Sequence, residues 1–355
     1  MPKIITSQDI DLGAELGSGH FGKVYKGKVR PFGDVAVKVV EPMGKGSFDL
    51  WKDHLLAEAD KLHAAEHSSV VRFFGCGYDD ATQRVFIVTE LCQGSIADEV
   101  GSNPLPLARA YSSMHQVLLG LECLHRKEML HRDIKPANIL VSQKGVSKLA
   151  DFGLVTDQLI DGYASDEAYV QHMAPEVFIH GVTSKRTDVW SMGITVFRLL
   201  NGERWWQEWV SKHGLDDYSN VRSLVCGGGF AKKLPWMPHV PDAWRRFTRQ
   251  ALHDDTSKRF QDATEMLSKA AKLPTEPSWS CLYGGDTIEW RSCGGGTRDT
   301  VVSWTGRGTP RQELKKWTEP SAGVAGRKRT AASHAEQSTK HAARQAEVLL
   351  GTRKT

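Results

Sequence analysis

The sequence predicts an α+β protein in which a sheet-rich N-terminal part, a mainly helical part and a short β-rich extension follow one another. Residues 11–40 alternate apolar and polar side chains around a glycine turn, a pattern typical of antiparallel strands. Residues 108–126 place apolar side chains three and four positions apart, which is helical spacing. After residue 275 that spacing is lost, and tryptophans occur in short alternating runs separated by glycines.

The remaining elements follow from the same patterns. Residues 49–65 have the apolar spacing of a helix, and residues 189–200 predict a helix that is apolar on all sides. Residues 70–74 and 84–91 predict two more strands, and Gln-Gly-Ser at 93–95 predicts a turn after them. We therefore expect a small sheet with one helix before the helical part.

Length and composition are those of an ordinary globular protein. The chain has 355 residues, enough for about two domains, and its 40% hydrophobic and 25% charged residues are ordinary globular usage. Its six cysteines include no Cys-x-x-Cys pair, the N-terminus lacks the apolar segment of a signal peptide, and no run reaches about 18 apolar residues. We therefore expect a cytoplasmic protein in a reducing compartment, without a membrane span.

The segment that follows Pro274 and Pro277 divides into two parts. Four of the chain's 11 tryptophans fall in residues 275–320, which favours a small Trp-rich β module of unknown role with an aromatic core. Residues 326–355 carry seven basic and two acidic side chains and predict a basic tail, partly helical or disordered. This extension is a candidate contact for a partner or an anionic surface, although such runs are more often simply solvated. Nucleic-acid binding is not indicated for the region before it.

A glycine-rich turn lies between the first two predicted strands. Residues 17–24 read Gly-Ser-Gly-His-Phe-Gly-Lys-Val. Gly17, Gly19 and Gly22 let backbone amides approach phosphate oxygens because no Cβ intervenes. The same glycine pattern occurs in dinucleotide-binding folds, but there the last glycine begins a helix, whereas here the strand pattern continues.

Lys38 interrupts the apolar alternation of the next strand. A lysine in such a place is costly unless it is paired, and Glu58 on the following helix is the best candidate partner. The alternative is a solubilising charge on an edge strand.

Residues 131–140, His-Arg-Asp-Ile-Lys-Pro-Ala-Asn-Ile-Leu, carry the strongest chemical signal. Asp133 can accept a proton from an attacking hydroxyl, Lys135 can neutralise charge on a phosphoryl group, and Asn138 offers a neutral oxygen to a divalent metal. Asp-Phe-Gly at 151–153 then supplies a carboxylate, Asp151, suited to Mg²⁺. Together these residues predict phosphoryl transfer.

Ala-Pro-Glu at 174–176 completes a series of motifs by which the chain, from about residue 10 to residue 273, resembles the eukaryotic-type (Hanks-type) serine/threonine protein kinases. The resemblance implies the bilobal protein-kinase fold, with a small β-rich N-lobe over residues 10–91 and a larger, mainly helical C-lobe over residues 92–273. It also implies two cofactors, ATP and Mg²⁺.

The resemblance assigns a role to each motif residue. Asp133 would be the catalytic base, Lys135 would assist it, and Asn138 with Asp151 would hold Mg²⁺. Lys38 would contact the α- and β-phosphates. The residues that the resemblance places around ATP are Leu16, Gly17, Gly19, Gly22, Val24, Ala36, Lys38, Glu58, Thr89, Glu90, Cys92 and Leu140.

Other residues would be supports or regulators. Asp188 matches the carboxylate that anchors the catalytic loop, and Arg259 matches the partner of Glu176. Family members with an arginine at the position of Arg132 often need an anion on the activation segment. Ser165 lies 11 residues before Glu176, where an activating phosphate is expected, so we expect autophosphorylation there. Negative charge already provided by residues 166 and 167, Asp-Glu, is the alternative.

The identity of the acceptor follows from Lys135. A lysine two residues after the base is the pattern of serine/threonine-specific members, so the expected substrates are proteins with Ser or Thr acceptors. Two positions depart from the family pattern: Tyr169 stands where a threonine is typical, and His172 stands where Tyr or Phe is common.

Two other functions compete with this interpretation. A kinase-shaped scaffold of weak or no activity, acting by partner binding, usually lacks the lysine, the base or the metal aspartate, and none is missing here. A small-molecule phosphotransferase of related fold generally lacks both Ala-Pro-Glu and the aspartate at the position of Asp188.

Overall fold

The computed structural model describes residues 3–6, 9–19, 22–40, 59, 63, 65–150, 170–292, 297–322, 327–336 and 338–352. Its backbone contacts divide the chain into two compact units. The first consists of residues 1–96 and 116–191, and the second of residues 97–115 and 192–355.

The first unit contains a mixed sheet of six strands in the spatial order β1-β5-β6-β4-β3-β2, in which only the β1–β5 pair is parallel. The alternating run in β4 buries Val35, Val37 and Val39 on one face, where they pack with Val88 and Phe86 of β6. This alternation is the period of a half-buried strand. The strands are β1 (Lys3–Ile4), β2 (Ile10–Gly19), β3 (Gly22–Val29), β4 (Gly33–Val40), β5 (Phe73–Asp79) and β6 (Arg84–Glu90).

A second, three-stranded sheet frames the catalytic-loop motif. It consists of β7 (Gly94–Ser95), β8 (Ile139–Val141) and β9 (Ser147–Leu149), and a short 3-10 turn over Pro136–Asn138 leads into β8. Leu149 of β9 bridges in parallel to Val70, which lies before β5. The motif at 131–140 therefore leads directly into a strand that is hydrogen-bonded on both sides.

The helical part of the chain has the predicted apolar faces. In the long helix α2, Val117, Leu118, Leu121 and Leu124 are fully buried. In α4, apolar residues are buried on all sides, as the continuous apolar run predicts. The described helices are α1 (Ile96–Val100), α2 (Leu107–Arg126), α3 (Pro175–His180), α4 (Lys185–Asn201), α5 (Glu203–His213), α6 (Tyr218–Cys226), α7 (Phe230–Lys233), α8 (Asp242–Ala251), α9 (Ala263–Ala270) and α10 (Thr339–Leu349).

The C-terminal extension is a five-stranded antiparallel meander followed by α10. All four tryptophans of the predicted module are buried in it. The sequence separated this module from a tail that begins at residue 326, whereas the structure pairs residues 329–336 with the preceding strand as the fifth strand of the same sheet. The strands are β10 (Trp279–Gly284), β11 (Thr287–Ser292), β12 (Arg298–Thr305), β13 (Gln312–Pro320) and β14 (Arg329–Glu336).

Within the second unit, this sheet is joined to the helices by buried polar contacts. Nε1 of Trp290 donates to Nδ1 of His239 at 3.1 Å, and both side chains are fully buried. Arg245 of α8 forms a 2.7 Å ion pair with Glu347 of α10. Burial, together with the charge of Arg245, lowers the pKa of His239 to about 3, so the ring is neutral at pH 7. The extension and α8 therefore share one core.

None of the described helices combines the length and the apolar content needed to cross a bilayer.

Candidate active site

The glycine-rich turn joins β2 to β3. Gly22 has φ +138°, and a Cβ at this position would collide with the carbonyl oxygen of Val39, so the close approach of β3 to β4 requires glycine here. A Cβ at Gly17 would meet no atom of the described residues within 4 Å, which leaves space beside this part of the backbone for a ligand. Gly19 pairs with Gly22 across the strands.

Four apolar residues predicted to flank a nucleotide base keep accessible surface. Leu16 in β2 is 52% exposed, and Val24 in β3, Ala36 in β4 and Leu140 in β8 are half-buried. Lys38 is also half-buried, on the face of β4 opposite Val35, Val37 and Val39. On this second face Val40 and Ile87 belong to another buried apolar cluster, so the candidate cation lies beside apolar packing rather than on a fully solvated face.

Residues at the end of β6 are fixed by an ion pair. Oε1 of Glu90 accepts a hydrogen bond from Nζ of Lys148 at 2.5 Å and another from the backbone N–H of Arg72 at 2.7 Å. Both charged side chains are mostly buried. Two residues further on, burial and the charge of Glu90 raise the pKa of the Cys92 thiol to about 11. The thiol is therefore protonated at pH 7, and Cys92 is not a nucleophile there.

Among the described residues, one oxygen of the Asp133 carboxylate has partners and the other has none. Its Oδ2 accepts from Nδ2 of Asn138 at 2.7 Å and lies 3.1 Å from Nζ of Lys135. Nδ2 of Asn138 also donates to the backbone oxygen of Asp133 at 2.9 Å, so both of its hydrogens are used and its side-chain oxygen keeps the chemistry of a metal ligand. In the part of the chain that the structure describes, Oδ1 of Asp133 is buried and accepts no hydrogen bond.

An orphaned carboxylate oxygen of this kind is costly unless a ligand completes it. A hydroxyl group that donates to Oδ1 would satisfy that oxygen, and proton transfer to the carboxylate would follow the same line. The arrangement of Asp133 therefore fits a general base that awaits its substrate.

The backbone that carries Asp133 is tied to Asp188 of α4, whose side chain is fully buried. Its Oδ2 accepts from the N–H of His131 at 2.9 Å and from Nε2 of His125 at 3.0 Å, and its Oδ1 accepts from the N–H of Arg132 at 2.8 Å. Arg132 has φ +67°, a left-handed backbone conformation. These consecutive amides thus converge on one carboxylate, and the loop conformation depends on it.

His131 connects the same loop to the end of β9. Its Nε2 donates to the carbonyl oxygen of Ala150 at 3.1 Å, and its Nδ1 accepts from the backbone N–H of Asp133 at 3.3 Å. The two contacts agree on one tautomer, with the proton on Nε2. Because Ala150 directly precedes Asp151, the loop and the start of the Asp-Phe-Gly motif are joined.

Comparison with known proteins decides the family. Residues 10–270 match the model of the protein kinase domain. The chain belongs to the protein kinase family. Mitogen-activated protein kinase kinase kinase 3 of Arabidopsis thaliana is 33% identical over 270 residues, which cover 72% of this chain and 39% of that protein. The human serine/threonine-protein kinase TAO2 is 36% identical over 191 residues, covering 52% of this chain and 15% of that protein.

The similarity covers only part of the length of each relative. A third relative, serine/threonine-protein kinase ATG1a of Arabidopsis thaliana, is 33% identical over 205 residues, which are 55% of this chain and 32% of that protein. This chain thus spans less than two fifths of the length of each of the three relatives. The family membership confirms the predicted fold class, with a β-sheet region, then a helical region, and a β-rich extension beyond the kinase domain.

Several predicted site residues of the kinase lie outside the described residues. Two of them are Glu58, the proposed partner of Lys38, and Asp151, the predicted metal ligand. The others are Ser165, Asp166, Glu167 and Tyr169. The predicted pair Glu176–Arg259 also stays a prediction. Arg259 itself is 1% exposed, and its Nε donates to the carbonyl oxygen of His253 at 3.1 Å.

Lys148 is the ion-pair partner of the predicted site residue Glu90, and the sequence did not single it out. It lies on β9, three residues before Asp151, between the fully buried Ser147 and Leu149. A lysine in such a short buried strand could have been recognised as a residue in need of a carboxylate, by the same argument that was applied to Lys38. That its partner is Glu90, 58 positions earlier, is information that only the folded chain contains.

Proposed function

We propose that this chain transfers the γ-phosphoryl group of ATP to serine or threonine hydroxyls of protein substrates, in a signalling role. The observation that carries the proposal is the carboxylate of Asp133, with one oxygen held by Asn138 and Lys135 and the other buried and open. Lys135 supports Ser/Thr acceptors, because a lysine two residues after the base is typical of that class of kinase. A cytoplasmic location accompanies this proposal.

The residues present fit ATP and Mg²⁺. The open space at Gly17, the half-buried cation Lys38 and the accessible apolar surface of Leu16, Val24 and Ala36 suit a phosphate chain and a base. Asn138 and Asp151 would hold the metal, which would supply positive charge to offset that of the phosphates. The chain's own groups would position the acceptor hydroxyl, take its proton at Asp133 and neutralise charge with Lys135.

The experiment is phosphorylation of a generic Ser/Thr acceptor protein by the full chain with ATP and Mg²⁺. Asp133→Asn and Lys38→Met are each expected to lower kcat/KM by at least about 100-fold, since each removes a preorganised contact to the transition state. Asp133→Asn with wild-type rates would show that Asp133 is not the base. Phosphoamino-acid analysis of the product tests the Ser/Thr assignment, and phosphotyrosine alone would contradict it.

Autophosphorylation of Ser165 is part of the proposal, because an anion near Arg132 would offset the arginine's charge. Intact-mass and peptide mapping of active enzyme should find phosphate on Ser165, and Ser165→Ala should lower activity. If Ser165→Ala is fully active while replacement of Asp166 and Glu167 by Asn and Gln inactivates the enzyme, those acidic residues supply the charge instead.

Two alternatives have distinct outcomes. A kinase-fold scaffold would capture partners equally well with Asp133→Asn and would incorporate no phosphate. A small-molecule phosphotransferase would phosphorylate an alcohol but not a protein.

We further propose a partner contact on the C-terminal extension, supported by the exposed basic side chains of residues 327–329 at the start of β14. Truncation near Pro274 is a poor test, because it would remove the buried partners of His239 and Arg245. Charge reversal by Arg327→Glu with Arg329→Glu leaves that core intact. Unchanged partner capture and unchanged activity in this double variant would remove the proposal.

A further inference from the structure

His172 occupies a position close to the catalytic loop. Its side chain is 3% exposed, and its Nδ1 lies 2.9 Å from the carbonyl oxygen of Ile134. A carbonyl oxygen only accepts hydrogen bonds, so Nδ1 carries a proton and donates. Ile134 directly follows Asp133 and is fully buried. The ring of His172 therefore binds the peptide group between Ile134 and Lys135, one residue beyond the candidate base.

The backbone of His172 is itself anchored. Oγ of Ser191 donates to the carbonyl oxygen of His172 at 3.1 Å. Ser191 lies on α4, three residues after Asp188, which faces nearly the same side of that helix. One helix thus supports the catalytic loop twice: Asp188 binds the amides before the base, and Ser191 acts through His172 on the carbonyl after it.

We infer that His172 is a positioning residue for phosphoryl transfer, and this inference rests on the proposed role of Asp133 as the base. Among the described residues, the side chain of Asp133 is held through Oδ2 and not through Oδ1, so the direction of Oδ1 depends on the orientation of the backbone. A donor on the Ile134 carbonyl restrains the backbone after the base, whereas Asp188 binds the amides before it.

The residue type matters for this role. Phenylalanine, which is common at this position in the family, has no donor, and the hydroxyl of tyrosine lies farther from the backbone than Nδ1 of histidine. Without this donor, the carbonyl of the buried Ile134 would lose its hydrogen bond from His172, and the loop would be held less tightly at this point. Small displacements of a reacting group cost large factors in rate.

The test compares His172→Phe, which removes the donor, with His172→Asn, whose Nδ2 can take the place of Nδ1. We expect His172→Phe to lower kcat about tenfold or more, with KM for ATP within about twofold of wild type. His172→Asn should restore most of kcat, whereas a purely space-filling role would favour phenylalanine over asparagine. Amide hydrogen exchange over residues 131–138 should rise in His172→Phe and fall back in His172→Asn.

The chain offers a matched control in His213 of α5, whose Nδ1 lies 2.8 Å from the carbonyl oxygen of Trp209. His213→Phe removes the same kind of bond and is expected to leave kcat unchanged. Ser191→Ala is a second route to the same contact, with an expected loss of about two- to fivefold that is less than additive with His172→Phe. If His172→Phe does not fold, Ser191→Ala and His172→Asn carry the test.

Two outcomes separate the inference from the proposed function. Wild-type kcat and wild-type exchange in His172→Phe, together with inactivity of Asp133→Asn, would overturn the role of His172 alone. Activity of Asp133→Asn at the wild-type rate would overturn the base assignment itself. Equal losses in His172→Phe and His172→Asn would also overturn the inference, because they would show that the ring, and not its donor, is required.

Discussion

Around Asp133 the buried groups are polar, whereas across the C-terminal sheet the buried groups are mainly aromatic. Asp188, His131 and Asn138 are each less than 10% exposed and form directional hydrogen bonds within the catalytic loop. In the sheet, Trp290 and Trp304 are fully buried, and each indole N–H donates to one buried polar side chain, His239 and Gln312 respectively. Polar burial is costly and geometrically strict, while apolar burial is favourable and tolerant of direction.

The difference indicates what each region is built for. A buried carboxylate that accepts three hydrogen bonds holds a loop in one conformation, at the expense of desolvation. A sheet with tryptophans in its core gains most of its stability from the apolar area that they bury. Changes in the loop should therefore alter the reaction more than the fold, and changes in the sheet should do the reverse.

The largest effect is expected for Asp188→Asn. The replacement has the same shape, but its NH₂ group cannot accept from the amide that it faces, so one backbone N–H loses its partner. We expect kcat to fall by about 100-fold or more in steady-state assays. Asp217→Asn is the matched control, since Asp217 caps α6 by accepting from the N–H of Asn220 and asparagine caps equally well. Wild-type kcat in Asp188→Asn would show that the loop keeps its geometry without this anchor.

Trp290→Ala tests the opposite region. We expect the free energy of unfolding to fall by about 3–5 kcal/mol, because a fully buried aromatic side chain is lost and a cavity remains. Denaturant titration measures it, and kcat per folded molecule should stay at the wild-type value. Leu282→Ala on the neighbouring strand, 64% exposed, should change stability little. A loss of kcat comparable to that of Asp188→Asn would contradict the expectation that changes in the sheet affect stability and not the reaction.

His239 is a buried polar side chain beside the mainly aromatic sheet, and it should make the stability of this region depend on pH. Its folded pKa of about 3 lies below the ordinary value of 6.5, so the unfolded chain binds a proton first as pH falls. Its contribution is fully present above pH 6.5 and is lost as pH falls towards 3. Between pH 7 and pH 5 this one group should lower the free energy of unfolding by about 2 kcal/mol. His239→Gln should remove that part of the pH dependence, and an unchanged profile would contradict the assignment.

The smallest effect is expected for the ion pair of Lys148 and Glu90. Lys148→Met leaves the mostly buried Glu90 carboxylate with the Arg72 amide as its one remaining partner among the described residues. We expect KM for ATP to rise about three- to tenfold, with kcat nearly unchanged and Lys148→Arg close to wild type. Lys185→Met, which breaks a more exposed pair with Glu128, is the control and should have no effect. Equal effects of the two methionine variants would show that the pair has no special role.

The linear chain was informative wherever chemistry and local pattern coincide. The strands at 22–40 and 84–90 follow from alternation, and the helix at 107–126 follows from its apolar spacing. Residues 131–140 could be interpreted as a phosphoryl-transfer loop because each side chain type has a distinct chemical capacity. The fifth strand at 329–336 was missed, since its alanine-rich run has little apolar alternation and is a strand through its pairing with β13.

The residue types and their order are given by the sequence, and they predict the family, the chemistry of each motif and most strands and helices. The sequence does not give the distances between residues that are far apart in the chain. The contacts of Glu90 with Lys148, of His172 with Ile134 and of Trp290 with His239 join positions 38 to 58 residues apart. Such pairs form because burial leaves each polar group only the partners that the packed chain brings within reach, and packing depends on the whole sequence at once.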